Sequence, residues 1–321
     1  MTNYILAPIA LFIYNRPEHT KKVLRSLSLN PEFKKSRLFI YCDGPKNEDD
    51  IKNIKYAREL VKNLNHPKKT IIEKKKNFGL AKSIITGVSE LVKNFGHVIV
   101  VEDDLIVNAR FLQYLNHALH TYAEFPQIMQ ISAHMFAIPE FYKKKKTLFF
   151  PNITSWGWAT WSRAWRYFDI NAKDWELLLE NKDLRKSFNL NGAYDYSDLL
   201  FRQMNAQVDS WAILWNWTVF RRSGLVVYPP VSFVRNIGFD GSGTHGRINK
   251  LIDIFQKKKI LTKPIFNKCF QISNNEFFFF RRYLLVLNGS FFFRTLKTIL
   301  NFLRRIKLKY YKFIINIKNL C

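Results

Sequence analysis

The stretch Val98-Ile99-Val100-Val101-Glu102-Asp103-Asp104-Leu105 decides how the rest of the chain reads. Four apolar, mostly valine residues in a row read as a strand buried on both faces, and such strands sit inside sheets covered by helices. Three acids follow without a break. Carboxylates do not lie unpaired inside a dry sheet, so Glu102, Asp103 and Asp104 are expected where the strand emerges at its carboxyl end. That is the edge where open α/β sheets hold ligands. Hard oxygen donors gathered there suit Mg²⁺ or Mn²⁺, which commonly carry substrate phosphates. An acidic turn capping the next helix accounts for the same triplet, so the flanking sequence has to choose.

Upstream, the pattern alternates. Residues 5–14 form an apolar run expected to be the first strand, and NRPEHTKKVLRSL then reads as a helix with Pro17 in its first turn. RLFIYCDG (37–44) is a second strand that again ends in an acid. Asp43 is either a turn residue, as Asp-Gly-Pro chemistry allows, or a ligand. Residues 51–65 are helical by their apolar spacing, 70–73 are a short strand, and KKKNFGLAKSIITGVSEL is a loop entering a helix, with Asn77 and Gly79 permitting tight backbone. Strand–helix alternation of this kind predicts α/β architecture with a mostly parallel sheet and helices on both faces. No GxGxxG follows the first strand and no GxxxxGK[ST] occurs, so phosphate must be held by a metal and by basic residues such as Arg16.

Downstream, residues 111–125 read as an amphipathic helix, and Lys143–Lys146 as a solvated basic loop. All eight tryptophans fall between Trp156 and Trp217. Trp158, Trp161 and Trp165 recur at helical spacing and are expected to pack on the sheet, whereas Trp156, beside Gly157, is placed to line a pocket and stack on a sugar face. In VDSWAILWNWTVF, Asp209 precedes an aromatic helix. It is either the helix N-cap or a buried carboxylate whose pKa apolar neighbours raise toward that of a general base. NIGFDGSGTH (236–245) is a glycine-rich loop that ends in His245, a residue able to reach a metal or a diphosphate.

In this order the motifs resemble the GT-A fold glycosyltransferases, specifically the bacterial family 2-like sugar transferases and the related N-acetylglucosaminyltransferase I group. The pieces that match are NRP (15–17), CDG (42–44), NFGLAKSIITG (77–87), VVEDD (100–104), SWGWATW (155–161), VDSW (208–211) and GTH (243–245), which together cover residues 5–247. The resemblance implies a Rossmann-like GT-A domain over residues 1–249 and an inverting, metal-dependent transfer from a nucleotide-diphosphate sugar, UDP-linked by preference, to a glycan or lipid-linked acceptor in lipopolysaccharide or capsule synthesis. It also implies roles. Glu102-Asp103-Asp104 stands where the family carries DxD, with Asp103 on the ribose and Asp104 on the Mn²⁺ or Mg²⁺ ion. Arg16 and Asp43 match nucleotide-holding positions, joined in the nucleotide-sugar site by Asn77, Glu102 and Trp156. Asp209 matches the catalytic base, and His245 the histidine that completes the metal site.

The charge balance is 51 Lys+Arg against 25 Asp+Glu, and residues 250–321 hold 16 basic and 2 acidic residues, so more than half of the net +26 sits in the last quarter. There, aromatic and aliphatic residues alternate with Arg and Lys. The reading is a basic helical extension, amphipathic over 291–318, that binds an anionic membrane surface. A helical hairpin packed on the catalytic domain is the alternative. The expected location is cytoplasmic, peripheral on the inner face of the cell membrane, because the three dispersed cysteines form no framework and no uncharged run reaches the roughly 20 residues of a spanning helix. The start of the chain reads as a strand, not a signal peptide. Two other functions compete. A sugar nucleotidyltransferase lacks its glycine-rich loop here, and a non-enzymatic nucleic-acid binder acting through the tail would leave the acids without a role, so no nucleic-acid partner is expected.

Overall fold

The computed structural model describes residues 5–241 and 264–288. The strands expected upstream of the acids are β1 (Ile9–Ile13), β2 (Leu38–Cys42), β3 (Lys69–Glu73) and β4 (His97–Glu102), connected by α1 (Pro17–Ser28), α2 (Asp49–Lys62) and α3 (Leu80–Phe95). The first strand is shorter than its apolar run, since Ile5 is exposed. All four are parallel, in the order β3-β2-β1-β4. Beyond β4 the order continues through β8 (Trp158–Trp161), β6 (Ile128–Ser132), β9 (Leu225–Tyr228) and β7 (Leu148–Phe150). Only β8 and β7 run against the others. The result is the expected α/β plan, a largely parallel central sheet flanked by helices.

The pleat sorts the apolar residues into two cores. Ile9, Leu11, Leu38, Ile40, Ile99 and Val101 face α1, α2 and α4 (Phe111–Thr121). Ala10, Phe12, Tyr41, Val98 and Val100 face α3 and α9 (Trp211–Arg221). With one face to each core, β4 has no room for a polar residue until it ends. A smaller cluster joins α9 to the short helices α6 (Leu177–Glu180), α7 (Lys182–Phe188) and α8 (Tyr196–Met204).

The tryptophan block corrects its sequence reading. Trp158 and Trp161 lie on a strand, β8, so three residues of separation puts them on opposite faces: Trp158 in the second core, Trp161 in the first. Trp165 follows in α5 (Ser162–Trp165). All three are buried as expected, but β8 had to be a strand because it fills the slot between β4 and β6.

Two further pairings matter. β5 (Leu105–Val107), which directly follows the acids, pairs antiparallel with β10 (Val234–Asn236). Residues 236–241 are thereby carried back over the triplet, with the Ile237 N–H donating to the Asp104 carbonyl at 2.8 Å. In the C-terminal quarter, α10 (Asn274–Asn288) packs on the sheet's edge. Its Phe280 is fully buried and stacks on Phe150 with ring centres 4.2 Å apart. Lys144 pairs with Glu276 and Arg282 with Glu140, so one lysine of the basic loop is engaged rather than solvated. The boundary drawn at 249/250 and the amphipathic stretch 291–318 lie outside the described residues. Among the described residues no helix is long and apolar enough to cross a membrane.

Candidate active site

The strand order reverses direction at β1: the chain steps outward to β2 and β3, then returns through α3 to β4 on the other side. Open α/β sheets bind ligands in the crevice at such a switch point, beyond the carboxyl ends of the strands. Here β1 releases Tyr14, Asn15 and Arg16 beside the acids that leave β4. The Arg16 Nη1 lies 3.2 Å from Asp104 Oδ2 and 4.0 Å from Asp103 Oδ1. The Tyr14 N–H donates to Asp103 Oδ2 at 3.0 Å.

One guanidinium faces three carboxylates. Burial, together with the neighbouring charge of Asp104, pushes Asp103 up to about 7 against the pull of Arg16. Glu102 is raised well above the ordinary range by burial and then by both aspartates, and Asp104 is raised by burial with Arg16 opposing. The site is short of positive charge. Such a donor set suits a hard divalent ion, although among the described residues no three His, Cys, Asp or Glu side chains converge as a complete ligand set.

Around this centre the loops are tied down. Asp50, which the sequence reading missed, accepts from the Tyr14 hydroxyl, the Asn15 amide and the Lys46 and Asn47 N–H groups. Burial pushes its carboxyl up, but those hydrogen bonds outweigh it and hold Asp50 below the usual range. Asp43 fulfils the turn half of its alternative: its carboxylate accepts from the N–H groups of Gly44, Phe78 and Gly79, which caps α3 from outside that helix. Asn77 donates to the Gly44 carbonyl and accepts from the Gly79 N–H, closing the same loop.

The returning segment covers the triplet closely. A Cβ on Gly238 would stand 2.4 Å from Asp104 Oδ2, so only glycine lets this backbone approach. His19, also missed from sequence, meets Asp240 Oδ2 at 3.1 Å and ties the segment to α1. Phe239 packs edge-on against Trp156 at 5.5 Å. His245 itself lies outside the described residues.

Trp156 is half-buried and lies two residues before the start of β8. Val100 and Ser132 both pair with Trp158, from opposite sides. Carried two residues further, that register sets Trp156 between Glu102 and His134, and the His134 ring is 4.5 Å away. Asp209 differs from one of its two expectations and does not meet the other. It is exposed, not enclosed by apolar neighbours, and the N-cap position of α9 belongs to Ser210. Its Oδ2 lies 3.1 Å from where a Cβ on Gly79 would stand, which sets the carboxylate at the N-terminus of α3, at the mouth of the same crevice.

No family model and no curated protein matches the chain. Among solved structures it is similar to S. aureus TarS 1–349 in complex with UDP, at 12% identity and a TM-score of 0.38 over 72% of this chain and 60% of that one. It is also similar to the galactosyltransferase LgtC in complex with donor and acceptor sugar analogs, at 12% identity and a TM-score of 0.32 over 55% and 65%. A third is the mannosyltransferase PcManGT from Pyrobaculum calidifontis with GDP-Man and Mn²⁺, at 13% identity and a TM-score of 0.34 over 49% and 45%. The chain spans less than two thirds of the length of each.

Arg16, Asp103 and Asp104 are thus in direct contact, Glu102 and Trp156 border them along the sheet edge, and Asp43, Asn77 and Asp209 gather around the start of α3.

Proposed function

We propose that this chain is an inverting, metal-dependent glycosyltransferase of the GT-A type, moving a sugar from a nucleotide diphosphate to an acceptor hydroxyl. What carries the reading is the buried acid triplet at the switch point, raised by burial and by its own crowding, with Arg16 in contact as the main opposing charge. An arrangement of like charges that costs stability by itself is suited to a cationic ligand that arrives with the substrate.

In this reading Asp104 holds the divalent ion, Asp103 the ribose, and Arg16 orients the acids and lies within reach of the diphosphate. Bound there with the donor, Mn²⁺ or Mg²⁺ would offset the charge that develops on the departing diphosphate. Asp209, open to the acceptor side, takes the proton from the acceptor hydroxyl. That oxygen bonds to the anomeric carbon, and the electron pair of the breaking carbon–oxygen bond leaves with the diphosphate. Asp43 and Asn77 shape the nucleotide wall, and Trp156 offers its ring to the sugar. His245 as a further metal ligand belongs to this proposal too.

The test is release of nucleoside diphosphate from UDP- and GDP-sugars with Mn²⁺ and with EDTA, supplemented by calorimetric donor binding. Mn²⁺-dependent turnover or binding of one donor is expected, with UDP-sugars favoured; no donor bound under any condition would sink the reading. The acceptor class we propose is a glycan or lipid-linked glycan of the cell surface, made at the inner face of the membrane. The basic composition of residues 250–321 supports this location. The full chain should therefore sediment with vesicles containing anionic lipid and be released by high salt, and indifference to the lipid's charge would remove the membrane from the proposal.

A further inference from the structure

A chain of buried polar groups runs along β6 toward the crevice. The Trp215 indole N–H donates to Gln130 Oε1 at 2.8 Å, and the Gln130 amide donates to the Thr154 carbonyl at 2.8 Å. Ser132 Oγ meets Thr154 Oγ1 at 3.1 Å, donates to the His134 carbonyl at 2.9 Å and accepts from the His134 N–H at 3.0 Å. Gln130 and Ser132 are fully buried and His134 is 3% exposed. Every link is satisfied until the last. His134 Nδ1 is buried and has no hydrogen-bond partner among the described residues.

The residue lies at the crevice end of this chain. His134 stands two residues past the end of β6, at the open edge, with its ring 4.5 Å from Trp156 and 4.9 Å from Phe136. Ser132 fixes its backbone from both sides, and Trp156 and Phe136 pack edge-on against the ring. Burial pushes its pKa down to about 3, so the imidazole is neutral at working pH and offers one N–H and one acceptor nitrogen. Leaving such a nitrogen unpaired is costly, while an apolar ring of the same shape would incur no such cost. A group that costly at the edge of a ligand crevice is explained by a partner that arrives with the ligand.

We propose that His134 is a specificity-determining residue, whose ring nitrogen hydrogen-bonds a hydroxyl of the donor sugar lying against Trp156. The inference rests on the glycosyltransferase reading and goes beyond it by assigning the sugar-reading group. A site built to hydrogen-bond a hydroxyl discriminates steeply against substrates that misplace it.

The experiment compares full-length wild type with His134→Phe and His134→Asn. Nucleoside diphosphate affinity is measured by calorimetry, and kcat/KM is measured for pairs of UDP- and GDP-hexoses that differ at one hydroxyl. His134→Phe should bind the nucleoside diphosphate as the wild type does, keep or raise its Tm, and lose roughly 10- to 100-fold of the discrimination between epimers. His134→Asn, which sets an amide near the Nδ1 position, should retain most of it. Unchanged discrimination in both variants with normal nucleotide affinity overturns this inference alone. A lowered Tm in His134→Phe with discrimination intact identifies a satisfied core histidine and overturns it as well. If His134→Phe does not fold, loss of discrimination in His134→Leu beside its retention in His134→Asn stands as the supporting result, and no loss overturns the inference. Failure of the wild type to bind any nucleoside diphosphate overturns the functional reading first.

Discussion

Replacing Asp104 with asparagine is expected to lower kcat/KM for the preferred donor by on the order of 10³-fold, the scale of losing one preorganised electrostatic group, while raising the Tm of the metal-free protein at neutral pH. Both effects come from the same cause. Asp104 is one of the charges that lift Glu102 and Asp103, and removing it leaves Arg16 to balance two carboxylates instead of three. The pH dependence follows with a definite sign. Asp103 sits at about 7 in the folded protein against an unfolded value near 4, so its contribution is fully present below about pH 4 and is lost as pH rises through 7. A shift of that size corresponds to about 4 kcal/mol, and Glu102 and Asp104 shift in the same direction. In EDTA the wild type should therefore lose Tm steadily between pH 5 and pH 8. Asp104→Asn should lose less over the same range, and Mn²⁺ with nucleoside diphosphate should flatten the wild-type slope. Scanning fluorimetry across that range, alongside donor turnover, reads all three. A flat wild-type profile, or an Asp104→Asn variant that still turns over its donor, would remove the triplet from the centre of the mechanism.

Legibility from sequence followed the period of the pattern. β1, β2 and β4 could be read because buried parallel strands are unbroken apolar runs, and α1 and α3 because they are strongly amphipathic. The acids were placed correctly by a single physical argument, that charge cannot stay inside a dry strand. Where the reading failed, two periods competed. SWGWATW places tryptophans three apart, which a helix and a strand buried on both faces satisfy equally, and only the empty slot between β4 and β6 settles the choice. Residues 166–208 gave no signal because their helices are four to nine residues long, too short for a period to show. Asp50 and His19 were missed for another reason. Each matters through a partner distant in sequence, and Glu-Asp-Asp at 48–50 reads locally as nothing more than the acidic first turn of α2. The pairing of β5 with β10, which folds Gly238 onto Asp104, is likewise a fact of topology that no window of sequence contains.

For Asp209→Asn the expected result is a kcat reduced by about 10²–10⁴-fold, the range for a lost general base, with nucleoside diphosphate affinity and Tm both unchanged. Stability should hold because Asp209 is exposed and contributes no cap to α9, and surface substitutions of this kind fall within about 0.5 kcal/mol. The carboxylate is nonetheless well placed. Trp211, Trp215 and Trp217 anchor α9 in the core, so the residue two positions before the helix is carried by a rigid element while its side chain stays open to solvent. Its Oδ2 over Gly79 lies at the start of α3, at the mouth of the crevice. This separates Asp209 from the triplet. Asp104→Asn should weaken donor binding along with turnover, whereas Asp209→Asn should leave the donor bound and the proton in place. Gly79→Ala supplies the geometric control: its Cβ would stand 3.1 Å from Oδ2 on a backbone with φ of +80°, so it should depress kcat by shifting the carboxylate without removing it. If Asp209→Asn keeps wild-type kcat at saturating acceptor, the base lies elsewhere on the crevice wall, and the split between a buried charge cluster for the donor and an exposed carboxylate for the acceptor has to be abandoned.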